Sequence, residues 1–151
     1  MRKSIAFGTM LAAASLLGVL GAAGANGAER RAEGPDKVVY HINDTPAQAS
    51  AALRNINNHL EVNPQAKIIV VTHAAGVDFL FDGAKNRTGN PYNIPVEALK
   101  ARGVRFEVCE ITLRERKIPR SRFIPEATYV PSGVAEIARL QQREGYAYLR
   151  P

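Results

Sequence analysis

Lys67-Ile-Ile-Val-Val-Thr72 is apolar and β-branched without interruption between its two polar ends, and it has the length of a strand. A strand with one face in water alternates apolar and polar residues. An unbroken run belongs to a strand covered on both faces, as in a parallel sheet. Lys37-Val-Val-Tyr-His-Ile42 upstream is a second short run, and the segment between the two reads as a helix. Thr45 is placed to cap that helix, Pro46 takes its first position, and Gln48 can return the hydrogen bond in a capping box. Ala49, Leu53, Ile56 and Leu60 share one face, and Asn63-Pro64 ends the element.

The same alternation continues downstream. Gly76 to Phe81 reads as a short helix, Asp82 to Pro95 as a long polar surface loop, and Val96 to Ala101 as a small helix stopped at Gly103. In Val104-Arg-Phe-Glu-Val-Cys-Glu-Ile-Thr112, Val104, Phe106 and Val108 alternate with Arg105, Glu107 and Cys109, the period of a strand. Thr112-Leu-Arg-Glu115 is a further capping box, opening a helix directly behind Cys109. Thr128-Tyr-Val130 is a brief strand. Pro131-Ser132 starts a helix in which Val134, Ile137, Ala138 and Gln141 share a face. Gly145 ends it, and Tyr146-Ala-Tyr-Leu149 is the last strand. This order predicts one α/β domain: a mostly parallel five-stranded sheet, helices on both faces, right-handed crossovers. Ligands of such sheets bind beyond the carboxyl ends of the strands. His41 and Asn43, His73, Cys109 and Ser132 all fall at or just after strand ends, and are expected around one crevice.

Residues 1–25 read as a cleavable signal peptide. Arg2 and Lys3 precede an uncharged run from Ile5 to about Ala22, and Ala23-Gly24-Ala25 supplies the small residues a signal peptidase accepts. The alternative is an uncleaved anchor, since the run is close to the ~20 residues of a spanning helix, but its many small residues make it only modestly apolar. The expected location is the periplasm, with no stable membrane insertion after cleavage. Asn26 to Asp36 is a polar lead-in, and 37–151 is the domain. Net charge is +6, and loss of Arg2 and Lys3 lowers it to +4. That excess alone does not point to nucleic acid, whose binders cluster basic residues on one face.

Cys109 is the only cysteine. Exported chains use cysteines in pairs, so a single thiol is buried and inert, paired with another molecule, or kept free for chemistry. Its phase with Arg105 and Glu107 reads as an available thiol. A helix opening just beyond it would favour the thiolate. Arg114, Arg116, Lys117, Arg120 and Arg122 either face the crevice, favouring an anionic sulfur, or form a solvated face. His73 either hydrogen-bonds the thiolate or is satisfied by backbone carbonyls, and His41 reads as structural. No paired-ligand spacing marks a metal site. Gly83-Ala-Lys-Asn-Arg-Thr-Gly89 lacks the spacing of a phosphate cradle and reads as a lid or an oligomer contact. Ser132 reads as a helix cap rather than a nucleophile.

Three stretches resemble the DsrE/DsrF-like family of sulfur-relay proteins, in its small exported branch. They are Val71-Thr-His-Ala-Ala-Gly-Val-Asp-Phe-Leu80, Gly103-Val-Arg-Phe-Glu-Val-Cys-Glu-Ile-Thr-Leu113, and Val130-Pro-Ser-Gly-Val-Ala-Glu-Ile-Ala-Arg-Leu-Gln141 with Gly145-Tyr-Ala-Tyr-Leu-Arg-Pro151. The resemblance covers about Lys37 to Pro151. It implies a flavodoxin-like fold, a homo-oligomer, and a cysteine that carries sulfane sulfur as a persulfide, on whose motif Cys109 falls; separately, no cofactor is expected. Donor and acceptor proteins bearing thiols or persulfides are the partners it implies. The rival expectation, from a different class, is a non-catalytic binding or assembly module whose cysteine is unused.

Overall fold

The computed structural model describes residues 34–151. The expected signal peptide, residues 1–25, and most of the expected lead-in lie outside the described residues. Five strands, β1 (Lys37–Asp44), β2 (Lys67–Ala75), β3 (Arg105–Cys109), β4 (Ala127–Val130) and β5 (Ala147–Leu149), form one sheet in the order β4-β3-β2-β1-β5. Every pairing is parallel. Four α-helices connect them: α1 (Ser50–Val62), α2 (Asn93–Ala101), α3 (Glu110–Arg116) and α4 (Gly133–Glu144). The α/β class is the one expected. The adjacency of the strands, which the sequence left open, follows chain order from β1 to β4, with β5 returning to the outer side of β1.

That order dictates where the helices go. Three successive steps in one direction, each a right-handed crossover, put α1, α2 and α3 on the same face, here called the front. The connection from β4 to β5 runs back across the sheet and places α4 alone on the reverse face. The cores agree: Tyr40, Ile42, Val70, Phe106 and Val108 pack with Leu53, Ile56, Leu99 and Leu113 in front. Val39, Ile69 and Val71 pack with Ile137 and Leu140 behind. Phe79 and Phe106, fully buried, meet edge to face at 6.4 Å. Removing such a ring from water stabilises the fold by about 1.5–3 kcal/mol.

Several local expectations shift. The residue capping the first helix is Asp44 rather than Thr45: its carboxylate accepts from the Ala47 N–H at 3.0 Å, and a π-wound turn, Thr45–Ala49, precedes α1. Gln48 does return the bond, accepting from the Asn43 and Asp44 N–H groups at 2.9 Å. Thr45 is withdrawn because its hydroxyl accepts from the Phe79 N–H at 3.1 Å. The segment after β2 winds into a single 3-10 turn, Asp78–Leu80. α2 begins at Asn93, ahead of Pro95, which sits in its first turn where its missing N–H costs nothing. α3 begins at Glu110 with Cys109 at the cap position, so Thr112 lies inside the first turn. In α4 the buried face is Gly133, Ile137 and Leu140, while Val134 is 64% exposed. The cause is Gly133. A β-carbon there would sit 3.3 Å from both the Cys109 β-carbon and the Thr72 carbonyl oxygen, so the helix seats on the strands at its glycine.

Candidate functional site

In a sheet of this kind the crevice opens where neighbouring strands send their connections to opposite faces. Here β3 leads forward into α3 and β4 leads backward into α4, so the switch falls between them. Cys109 ends β3 and pairs there with Val130, the last residue of β4. The chain then reaches α4 through Pro131 and Ser132. A cleft of about 530 Å³ lies at this point, with Cys109 and Thr112 in its lining, His73 and Ala74 contributed by the end of β2, and Ser132 and Val134 by the start of α4.

The thiol is not open to solvent as its phase suggested: Cys109 is only 4% exposed. The phase itself holds, since Arg105, Glu107 and Cys109 share the back of the sheet. The cover that α4 provides there is what the alternation of β3 could not reveal. Burial pushes the thiol pKa up. The nearby backbone N–H groups of Gly133, Thr112 and Ile111 and the Thr112 hydroxyl favour the anion and outweigh burial, leaving the thiol below its ordinary value. Dipoles that favour the anionic form lower an acid's pKa as a charge does.

Thr112 is fixed for this task. Its oxygen accepts from the Ala74 N–H at 2.9 Å, which leaves its own proton free to favour the thiolate. Ala74 itself has a φ of +52°, a left-handed conformation that costs a residue with a β-carbon roughly 1–2 kcal/mol. α3 holds it there from both sides, because the Arg116 guanidinium donates to the Ala74 carbonyl at 2.8 Å. Arg116 is also clamped by both oxygens of Asp78, at 2.6 and 3.2 Å. It acts as a strut between α3 and the 3-10 turn. Gly76 makes the same turn feasible, since a β-carbon would lie 2.1 Å from the Ile42 carbonyl oxygen.

Of the basic run, Arg116 borders the thiol cleft, where Asp78 pairs with it, and the others turn elsewhere. Arg114, Lys117 and Arg120 line a separate depression beside α3. Arg120 pairs with Glu110 and lies over the Tyr129 ring at 4.4 Å, and Arg122 lies over Phe81. The groups that favour the thiolate are neutral donors, and the cleft wall carries one acid, Glu115, and one base, Arg116.

His73 does reach the cleft, and His41 stands behind it. Their Nε2 atoms are 2.7 Å apart, so one carries a proton and the other accepts it. Nδ1 of His41 meets the Tyr148 hydroxyl, also at 2.7 Å. Burial, then His73, then Arg150 lower the pKa of His41 to about 4. Burial lowers His73 as well. Both rings are therefore neutral at pH 7, and His73 offers the cleft a hydrogen-bonding group rather than a cation. Asn43 is outside the cleft: its N–H is held by Gln48 and its side-chain oxygen by Arg150 at 3.3 Å. Ser132 lines the cleft while capping α4, its hydroxyl accepting from the Ala135 N–H at 3.3 Å. Sequence reasoning missed Gly133 and the orientation of Thr112. A glycine at the first position of a helix was the visible sign of the former.

Among the described residues, no group of three or more His, Cys, Asp or Glu is arranged to hold a metal ion. Residues 36–151 match the sequence model of the DsrE/DsrF-like family. No curated protein matches the chain. Two solved structures are similar over 77% of this chain and 99% of their own. One is MTH1491 from Methanobacterium thermoautotrophicum, a protein of unknown function, at 31% identity and a TM-score of 0.67. The other is the ychN protein of E. coli, at 18% identity and 0.64, a likeness of fold.

Proposed function

This chain belongs to the DsrE/DsrF-like family, generally related to sulfur relay, and from that membership and the surroundings of Cys109 we propose that it carries sulfane sulfur as a persulfide on that residue. The observation that carries the reading is the place of the sulfur, where Cys109 caps α3 and the start of α4 packs against it, in a polar shell that favours its anion. A buried structural thiol has no use for such a shell, whereas a nucleophile does. Thiolate would attack the terminal sulfur of a donor persulfide, R–S–SH. The S–S bond breaks, the donor leaves as R–S⁻ and takes up the proton the medium supplies, and Cys109 holds the sulfur as Cys–S–SH. An acceptor thiolate then attacks that outer sulfur and restores the Cys109 thiolate. No net oxidant or reductant is consumed. Neutral His73, at the cleft wall, is placed to exchange a proton with donor or acceptor.

The apolar leader at residues 1–25 supports a periplasmic site of action, and the family supports assembly with further copies. The test is intact mass spectrometry after incubation with cysteine polysulfide. The carrier gains one sulfur atom, loses it to dithiothreitol, and gains none as Cys109→Ser. The low exposure of Cys109 favours the rival reading, a binding module with an idle thiol. Absence of a sulfur adduct with every persulfide donor would leave that rival standing.

A further inference from the structure

The front of the molecule holds a second cavity, also of about 530 Å³, between α1, α2 and the segment before α2. It shares no residue with the thiol cleft. Its floor is apolar: Leu53, Tyr92 and Leu99 line it and are each at least nine-tenths buried. Asn86 and Asn90 line one side, in and just after the segment read as a lid or an oligomer contact. The segment is closed upon itself, with the Asn86 side-chain oxygen accepting from the Thr88 N–H at 3.0 Å and from the Asn90 N–H at 2.9 Å. A volume in this range is that of a preformed small-molecule site.

The charge of the lining is one-sided. Arg54 and Arg102 both border the cavity, and no Asp or Glu does. Arg102 donates to the Asn57 side-chain oxygen at 2.8 Å, a neutral partner that aims the guanidinium without cancelling its charge. Arg54 takes part in no ion pair among the described residues. An apolar floor beneath two uncompensated guanidinium groups fits a ligand with a hydrocarbon body and one anionic head, and guanidinium pairs best with a planar carboxylate. We propose that this groove binds a small amphipathic carboxylic acid, its chain on Leu53 and Leu99 and its carboxylate between Arg54 and Arg102. The site is independent of sulfur chemistry at Cys109.

Octanoate, octan-1-ol and octylammonium share one tail and differ in head group, so titrating each into the ¹⁵N-labelled protein separates charge recognition from mere greasiness. Octanoate should saturate, shift the amides of Leu53, Asn90 and Leu99, and bind at least about tenfold tighter than the other two. The double variant Arg54→Gln/Arg102→Gln should lose that preference while keeping a native spectrum, and Arg54→Lys/Arg102→Lys should restore part of it. Cys109→Ser should bind octanoate unchanged, so a failed persulfide does not count against the groove. Equal binding of octan-1-ol, shifts centred elsewhere, indifference to the double glutamine variant, or a groove closed off by a second copy of the chain would each overturn the proposal.

Discussion

On the front of the sheet, Tyr40, Ile42, Val70 and Phe106 are sealed beneath α1, α2 and α3. One residue out of phase on the same strands, Val39, Ile69 and Val71 are covered by a single helix, α4, with Tyr146 just beyond its end. Following the back register toward the carboxyl ends brings His41 on β1, His73 on β2 and Glu107 and Cys109 on β3. The front register of the same strands continues apolar, to Ile42 and Val108, and reaches one hydroxyl, Thr72, which is satisfied by the Glu107 carbonyl at 3.0 Å. A face closed by several helices leaves no place for a group that must meet a second molecule. A face closed by one helix leaves a rim, and the reactive sulfur sits at that rim, where α4 begins.

The division is broken most directly by comparing truncations. Phe106→Ala opens a hole in the front cluster against Phe79 and should cost about 3–5 kcal/mol in urea unfolding. Ile137→Ala removes one of two α4 residues in the smaller cluster, at a partly open site that water can fill, and should cost about 2 kcal/mol. Equal costs would mean that α4 seals its face as firmly as the front helices do, and the contrast would fail.

Thr112 sharpens the comparison because it joins the two sides, a front helix serving a back-face sulfur. Thr112→Val keeps the volume and removes the hydroxyl. The Ala74 N–H loses its acceptor, at a cost of about 1–2 kcal/mol. Cys109 loses one donor, so the pH profile of its alkylation by iodoacetamide should move upward, with a rate at pH 7 about tenfold lower. Thr112→Ser should retain most of the wild-type profile. An unmoved profile in Thr112→Val would show that the backbone donors hold the thiolate unaided.

The layers of this fold were legible because parallel strands buried on both faces write themselves as unbroken β-branched runs, as Ile68 to Val71 do. The switch point was not, because strand adjacency depends on crossovers that leave no mark in any single segment. The phase of Cys109 was readable from Val104, Phe106 and Val108, but its burial was not: α4 arrives from 24 residues downstream, Cys109 to Gly133, and only packing at Gly133 brings it over the sulfur. The dense arginines from Arg114 to Arg122 suggested an anion site by count alone. Their directions depend on partners at Asp78, Glu110, Phe81 and Tyr129, and only Arg116, held by Asp78, borders the thiol cleft. Thr112 carried the pattern of a helix cap, yet the helix starts earlier because Cys109 already holds the extended cap conformation, with φ −69° and ψ 117°.

The smallest effects come from the back face's buried titrating groups, and they have opposite signs. His41 in the folded chain takes a proton only near pH 4, whereas the unfolded chain takes it near 6.5. Between those values the unfolded state binds more protons, so this residue's contribution to stability, complete above 6.5, drains away as the pH falls toward 4. Glu107 behaves in reverse. Burial raises its pKa above the ordinary 4.5, Arg105 opposes that, and Glu136 and Glu144 from α4 add to it while Arg139 subtracts. One of its oxygens has no hydrogen-bond partner, as a carboxylate kept from water would not tolerate well. The folded state therefore holds this proton longer, and stability slips as the pH rises from the carboxylate range through the raised value. Thermal melts across pH 4 to 8 should show His41→Gln flattening the acid side and Glu107→Gln flattening the loss above it, each by a few degrees. A front-face change such as Phe106→Leu should lower every melt alike and leave the shape of the curve untouched. If it reshaped the curve as the two glutamines do, the titrating groups would be coupled through the whole core, and the back face could not be treated as a separate electrostatic compartment.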